Sequence, residues 1–105
     1  MIRFTILYPH TEGGRFDMEY YRYRHLPLVQ STLGSMCVRG SADEGIGTLN
    51  PQVPSPYAAM GHLDLDIQSP DEFLERYAPL GDAIRADVPN FTDIKPIGML
   101  SRIWD

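Results

Sequence analysis

The residues best suited to chemistry lie close together in the run Tyr20-Tyr21-Arg22-Tyr23-Arg24-His25-Leu26-Pro27. His25 follows Tyr21 by four positions, so on a helix the imidazole and the phenol share one face. Pro27 comes two residues later and has no N–H to give the helix ladder. The helix must therefore kink, or end and restart, just beyond the histidine. An imidazole on the stripe that faces a sheet is partly desolvated. Desolvation lowers its pKa and keeps it neutral near pH 7, where it can act as general base or general acid. His25 is thus the candidate catalytic residue. The competing reading is a packing histidine bonded to a carbonyl that Pro27 leaves free.

Tyrosines are the second resource. Tyr21 and Tyr77 fall on buried helix stripes and Tyr8 ends the first strand. Their rings would line a pocket between helices and sheet, with the hydroxyls as inward donors. Alternatively they are core aromatics whose hydroxyls reach solvent. His62 alternates with Asp64 and Asp66 along a strand, which invites a metal reading. Alternating acidic positions more often make a solvated surface, and no second histidine completes a site, so no metal is expected. His62 remains a weaker candidate for substrate contact. The lone Cys37 excludes an intramolecular disulfide and reads as a small buried hydrophobe. No glycine-rich dinucleotide fingerprint, phosphate loop or nucleophile elbow is present, so no cofactor is expected.

The elements that must position these residues follow from periodicity. Residues 2–8 form a β-branched and aromatic strand that Pro9 ends. Asp17 caps a helix over 18–33, with Pro27 as its flaw and Gly34 after its last turn. A second strand spans 35–41. Residues 43–56 are turn chemistry, long enough to suggest a functional or mobile loop. Residues 57–67 alternate as a third strand, with Tyr57, Ala59, Gly61, Leu63, Leu65 and Ile67 on the more apolar face. Ser69-Pro70-Asp71-Glu72 opens a second helix with Phe73, Tyr77, Leu80 and Ile84 as its buried stripe. Pro79 and Gly81 weaken its middle. Residues 92–103 form a last strand, and Pro96 suggests an edge position or a bulge.

The order β-α-β-β-α-β predicts one ferredoxin-like α+β domain over 1–105, a four-stranded antiparallel sheet with two helices on one face. The other face keeps apolar residues and has no element left to cover it. That implies a homodimer joined through the sheets. A net charge of −5 argues against nucleic acid, and against the RNA-binding use of this architecture. No segment reads as a signal peptide or a membrane span, so the expected location is cytoplasmic and no membrane partner is expected.

Four segments together also resemble a known family, the EthD family. They are Leu7-Tyr8-Pro9, Arg15-Phe16-Asp17-Met18-Glu19-Tyr20-Tyr21, His25-Leu26-Pro27-Leu28-Val29 and Pro89-Asn90-Phe91-Thr92-Asp93-Ile94-Lys95-Pro96-Ile97. The resemblance runs in order along essentially the whole chain. It implies a dimeric α+β barrel built from two ferredoxin-like sheets. Members are often labelled reductases, and relatives of the barrel include cofactor-free monooxygenases and muconolactone-type isomerases. In a related methylmuconolactone isomerase a helix-one histidine is implicated in the active site, and His25 is the matching position. A cysteine implicated there has no counterpart assigned in this chain. The resemblance therefore implies an oxidoreductase or isomerase without bound cofactor. It would isomerise, cyclise or oxygenate a small apolar or aromatic metabolite. His25 would move the proton, and Tyr8, Tyr21, Tyr77 and His62 would contact the substrate. The alternative is a non-catalytic binding or accessory protein for a hydrophobic metabolite or a partner enzyme.

Overall fold

β-branched and aromatic residues favour extended backbone, and Ile2–Pro9 forms strand β1. The computed structural model describes all 105 residues. β1 lies inside the sheet, antiparallel to β3 (Tyr57–Leu65) on one side and β4 (Ile97–Arg102) on the other. β2 (Cys37–Glu44) completes the sheet beyond β3, giving the order β2-β3-β1-β4. The helices cover one face of this four-stranded antiparallel sheet, the ferredoxin-like arrangement expected from the element order.

The first helical run starts at Asp17, whose carboxylate accepts the Tyr20 backbone N–H at 3.0 Å. It has three parts: α1 (Met18–Tyr20), a π-helical turn over Tyr21–His25, and α2 (Leu26–Leu33). The wide turn is closed by Leu26 N–H donating to Tyr21 C=O, five residues back. The irregularity expected just beyond His25 lies instead over Tyr21–His25, as a π-bulge of the kind often found at functional sites, and Pro27 sits in the first turn of α2, where its missing N–H costs no ladder bond. Gly34 then ends α2 at φ +61°, in the region that favours glycine.

The second helix divides. α3 (Pro70–Tyr77) begins at Ser69, whose hydroxyl accepts from Glu72 N–H at 3.2 Å. α4 (Gly81–Asp87) is a separate piece. Pro79 between them cannot continue the ladder, so the single helix expected from the sequence breaks there. The last strand is also shorter than 92–103. Thr92 Oγ1 donates to Arg15 C=O at 2.6 Å, and Asp93 accepts Arg15 N–H at 2.8 Å. Those bonds tie residues 92–93 to the start of the first helical run, and Pro96 stands just before the edge strand β4. β2 likewise begins after a 3-10 turn over Gly34–Met36 and runs two residues into the expected loop.

Strand alternation divides the sheet residues cleanly. Phe4, Ile6, Tyr8, Gly61 and Leu63 face the helices. Arg3, Thr5, Met60, His62 and Asp64 occupy the alternate positions and so face the other way. That outer face is mixed. Arg3 Nε donates to Asp64 at 2.7 Å, while Ile97 and Met99 are about half exposed. No helix is long and apolar enough to cross a membrane.

Candidate functional site

The π-helical turn buries both Tyr21 and His25, and the two rings stack at 5.6 Å between centroids. Phe91, fully buried, packs against them at 5.1 Å and 4.5 Å and reaches Tyr8 at 5.9 Å. The residues just before Phe91 bring the chemistry. Asp87 ends α4, and its Oδ2 lies 2.9 Å from His25 Nδ1. Its other oxygen accepts from Tyr20 Oη at 2.6 Å and from Asn90 Nδ2 at 2.9 Å.

These contacts set the protonation states. Desolvation pushes the Asp87 carboxyl up, but hydrogen bonds from Tyr20, His25 and Asn90 outweigh it and leave the pKa below the ordinary carboxylate value. Burial lowers the pKa of His25, and this outweighs the opposing pull of Asp87. The pair at neutral pH is therefore a carboxylate beside a neutral imidazole. An ionised carboxylate only accepts, so Nδ1 carries the ring proton and donates it to Asp87. That leaves Nε2 as a bare acceptor with no protein partner. It is not sealed either, because Tyr21 Oη is the single buried side-chain polar atom lacking a partner.

His25 lines a mostly apolar cavity of about 220 Å³ between helices and sheet. β1 contributes Phe4, Ile6 and Tyr8. The first helical run contributes Tyr21, His25, Leu26 and Val29. Tyr77, Ile84, Arg85 and Val88 close it from the second helical region, and Leu63, Pro96 and Gly98 complete the wall. Arg85 is already bonded to Asp82 at 2.6 Å. Burial pushes the Tyr8 phenol up to about 12 and the Tyr21 phenol higher still, so both stay protonated as donors at neutral pH. Tyr21 Oη lies over Gly61, where any side-chain carbon would overlap it.

Of the residues singled out from sequence, His25, Tyr8, Tyr21 and Tyr77 come together around this cavity. His62 does not. It stands on the outer face of the sheet, with Nε2 2.9 Å from Asp43 and Nδ1 3.3 Å from Thr5. Its neighbours Gly61 and Leu63 take the inward positions, so the alternation of β3 excludes it from the cavity. Cys37 is absent from the lining, and its thiol points to the Arg39 carbonyl at 3.5 Å. His25 bonds a carboxylate and not a backbone carbonyl, which departs from the packing reading. Asp87, Tyr20 and Asn90 are not apparent as a group from sequence. The one available cue is a carboxylate at the C-terminal end of a helix, where the dipole disfavours negative charge and a partner is needed.

Comparison with known proteins agrees with this architecture. The EthD domain model matches residues 15–95. An EthD-like protein from Ralstonia eutropha JMP134, known from its crystal structure, is 35% identical, with a TM-score of 0.87 over 96% of this chain and 89% of that one. An EthD family protein from Bacillus halodurans C-125, also known from its crystal structure, shares the fold at 18% identity, with a TM-score of 0.70 over 99% of both chains. No curated protein matches the chain. With a family model covering most of its length, the chain belongs to the EthD family.

Proposed function

We propose that this protein is a cofactor-independent enzyme in which His25 moves a proton on a small apolar or aromatic molecule held in the cavity. The observation that carries the reading is the contact between Asp87 and His25 Nδ1. It assigns the bare nitrogen of a neutral imidazole to the side that is free to meet a ligand. Nε2 takes a proton from an acidic group on the ligand. Asp87 stabilises the imidazolium that forms, and the proton is returned at another position. Isomerisation and cyclisation need no more than this, and oxygenation would begin with the same deprotonation. One acid–base group supplies about 10²–10⁴-fold acceleration. That suits activated substrates and falls far short of what an inert ether would require.

The outer face of the sheet supports a second part of the reading, a homodimer. Ile97 and Met99 are half exposed on the edge strand, and Leu7 and Met60 pair across the sheet beside them. A second copy related by a two-fold axis would cover this face.

Deuterium incorporation into 2-indanone in D2O, followed by NMR, tests the proton-transfer role. Wild-type protein should accelerate exchange over buffer. His25→Gln should return it to the buffer rate, and Asp87→Asn should lower it about 10²-fold or more. Wild-type exchange no faster than that of His25→Gln would favour the non-catalytic binding module instead.

A further inference from the structure

Tyr21 Oη presents a physical problem. It belongs to a side chain that is 1% exposed, and nothing in the chain accepts from it or donates to it. Leaving a hydroxyl buried and unpaired is costly, and such groups in folded proteins call for an account. Packing does not supply one, because phenylalanine would fill the same space without the cost. The neighbouring strand instead preserves room for the oxygen. Gly61 lies directly beneath it, and a side chain there would overlap it.

Tyr8 stands one ring away, and its hydroxyl is less enclosed than that of Tyr21. Its ring meets Tyr21 edge-on at 5.4 Å, and its hydroxyl also has no protein partner. No hydrogen bond of ordinary geometry joins the two hydroxyls, although each affects the other's acidity. Both residues line the cavity that His25 lines, and Tyr21 stacks on the imidazole. Most of the remaining wall is apolar. The cavity's one guanidinium, Arg85, is at the surface and bonded to Asp82. The cavity therefore holds uncommitted tyrosine hydroxyls, those of Tyr8 and Tyr21 nearest the imidazole, beside one uncommitted base, and no free charge to hold an anionic ligand.

We propose that the hydroxyls of Tyr8 and Tyr21 bind an oxygen of the ligand, and that the substrate class is a neutral carbonyl compound with an acidic C–H next to that carbonyl. The oxygen site stands on the tyrosines alone, whereas the acidic C–H rests on the reading of His25 as the base. His25 Nε2 takes the proton. The C–H electron pair becomes a carbon–carbon π bond, and the carbonyl π pair moves onto oxygen. The tyrosine hydroxyls donate to that oxygen and strengthen their bonds as negative charge develops on it. Where the substrate also carries a carbon–carbon double bond conjugated with the enolate, return of the proton at the far carbon of that bond moves the double bond, restores the carbonyl, regenerates neutral His25 and completes an isomerisation.

The test uses matched probes, 4-nitrophenol and 4-nitrotoluene, in which a methyl group replaces the hydroxyl. The bound phenolate imitates an enolate. Wild-type protein should bind the phenol at least about ten-fold tighter than the toluene, as hydrogen bonds to a charged oxygen require. Tyr21→Phe and Tyr8→Phe should each reduce that preference, and the double variant should abolish it. Affinity for 4-nitrotoluene should hold. The melting temperature of Tyr21→Phe should not fall, since no bond within the chain is lost. Equal affinity for the two probes in wild type, or a preference that survives the double variant, overturns the oxygen site. A lost preference without 2-indanone exchange in wild type keeps the oxygen site and removes the base. Exchange with an unchanged preference does the reverse.

Discussion

Asp87 and His25 are 62 residues apart in sequence and in direct contact in space, with Oδ2 2.9 Å from Nδ1. The contact joins the first helical run to the end of α4. It gives the imidazole a fixed tautomer and gives the carboxylate a donor. Tyr20 and Asn90 hold the carboxylate from its other oxygen, so the histidine meets a positioned acceptor and not a mobile one. A proton-transfer group in an apolar cavity needs this kind of support.

The pair makes stability depend on pH in one direction. His25 has a folded pKa below its ordinary 6.5, so below that value the unfolded chain takes up a proton that the folded chain refuses. Stability should therefore fall as pH drops from 6.5 toward the folded value. Asp87, also lowered, keeps its contribution above 3.8 and loses it as pH falls from there through its folded pKa. Thermal melts of wild type against His25→Gln between pH 7 and 5 should show the first slope in wild type and a flatter one in the variant. Equal slopes would contradict the assignment.

Phe91 should be the costliest ring to remove. It is fully buried and packs on Tyr8, Tyr21 and His25 together. Phe91→Ala should lose about 3–5 kcal/mol in denaturant unfolding, as large-to-small changes at aromatic core positions do. A loss below about 1 kcal/mol would mean that the ring can be replaced by simple collapse of the site.

Gly61 and Tyr21 should be coupled. Gly61→Ala alone forces a carbon against the Tyr21 oxygen, whereas in a Tyr21→Phe background that oxygen is gone. A double-mutant cycle should give an interaction of about 0.5–3 kcal/mol, with the alanine better tolerated beside phenylalanine. Additive effects would show that the hydroxyl does not occupy the space above Gly61.

The outer face offers a separate test. Met99 is half exposed on β4 and sits across from Thr5 in the middle of the sheet. Met99→Lys should weaken self-association by about 30-fold or more, the effect of a charge at an interface hot spot. Mass measurement by light scattering should then find a monomer where wild type is a dimer. A wild-type monomer at high concentration would rule out the dimer.

The ferredoxin-like order is legible in the sequence because each element carries its own period and punctuation. Asp17 and Ser69 mark helix starts, and the alternation of Tyr57–Leu65 by itself separates the two faces of that strand. The same alternation sets His62 opposite Gly61 and Leu63, so its exclusion from the cavity is already encoded in the strand. Tyr21 and His25 are legible as a pair because helix geometry is local. Asp87 is not, since its meeting with His25 depends on how α4 packs, and no local period encodes that. The split at Pro79 is signalled by the proline, but how far each helix runs depends on packing against the sheet.

The protonation of His25 is the point on which the proposed chemistry turns. Nitrogen-15 NMR of histidine-labelled protein reports it without any substrate. At pH 7 the spectrum should show His25 neutral, with the proton on Nδ1 and Nε2 bare, and Asp87→Asn should disturb that pattern. An imidazolium at pH 7, or a neutral ring with its proton on Nε2, would contradict the assignment of Nε2 as the base that faces the cavity.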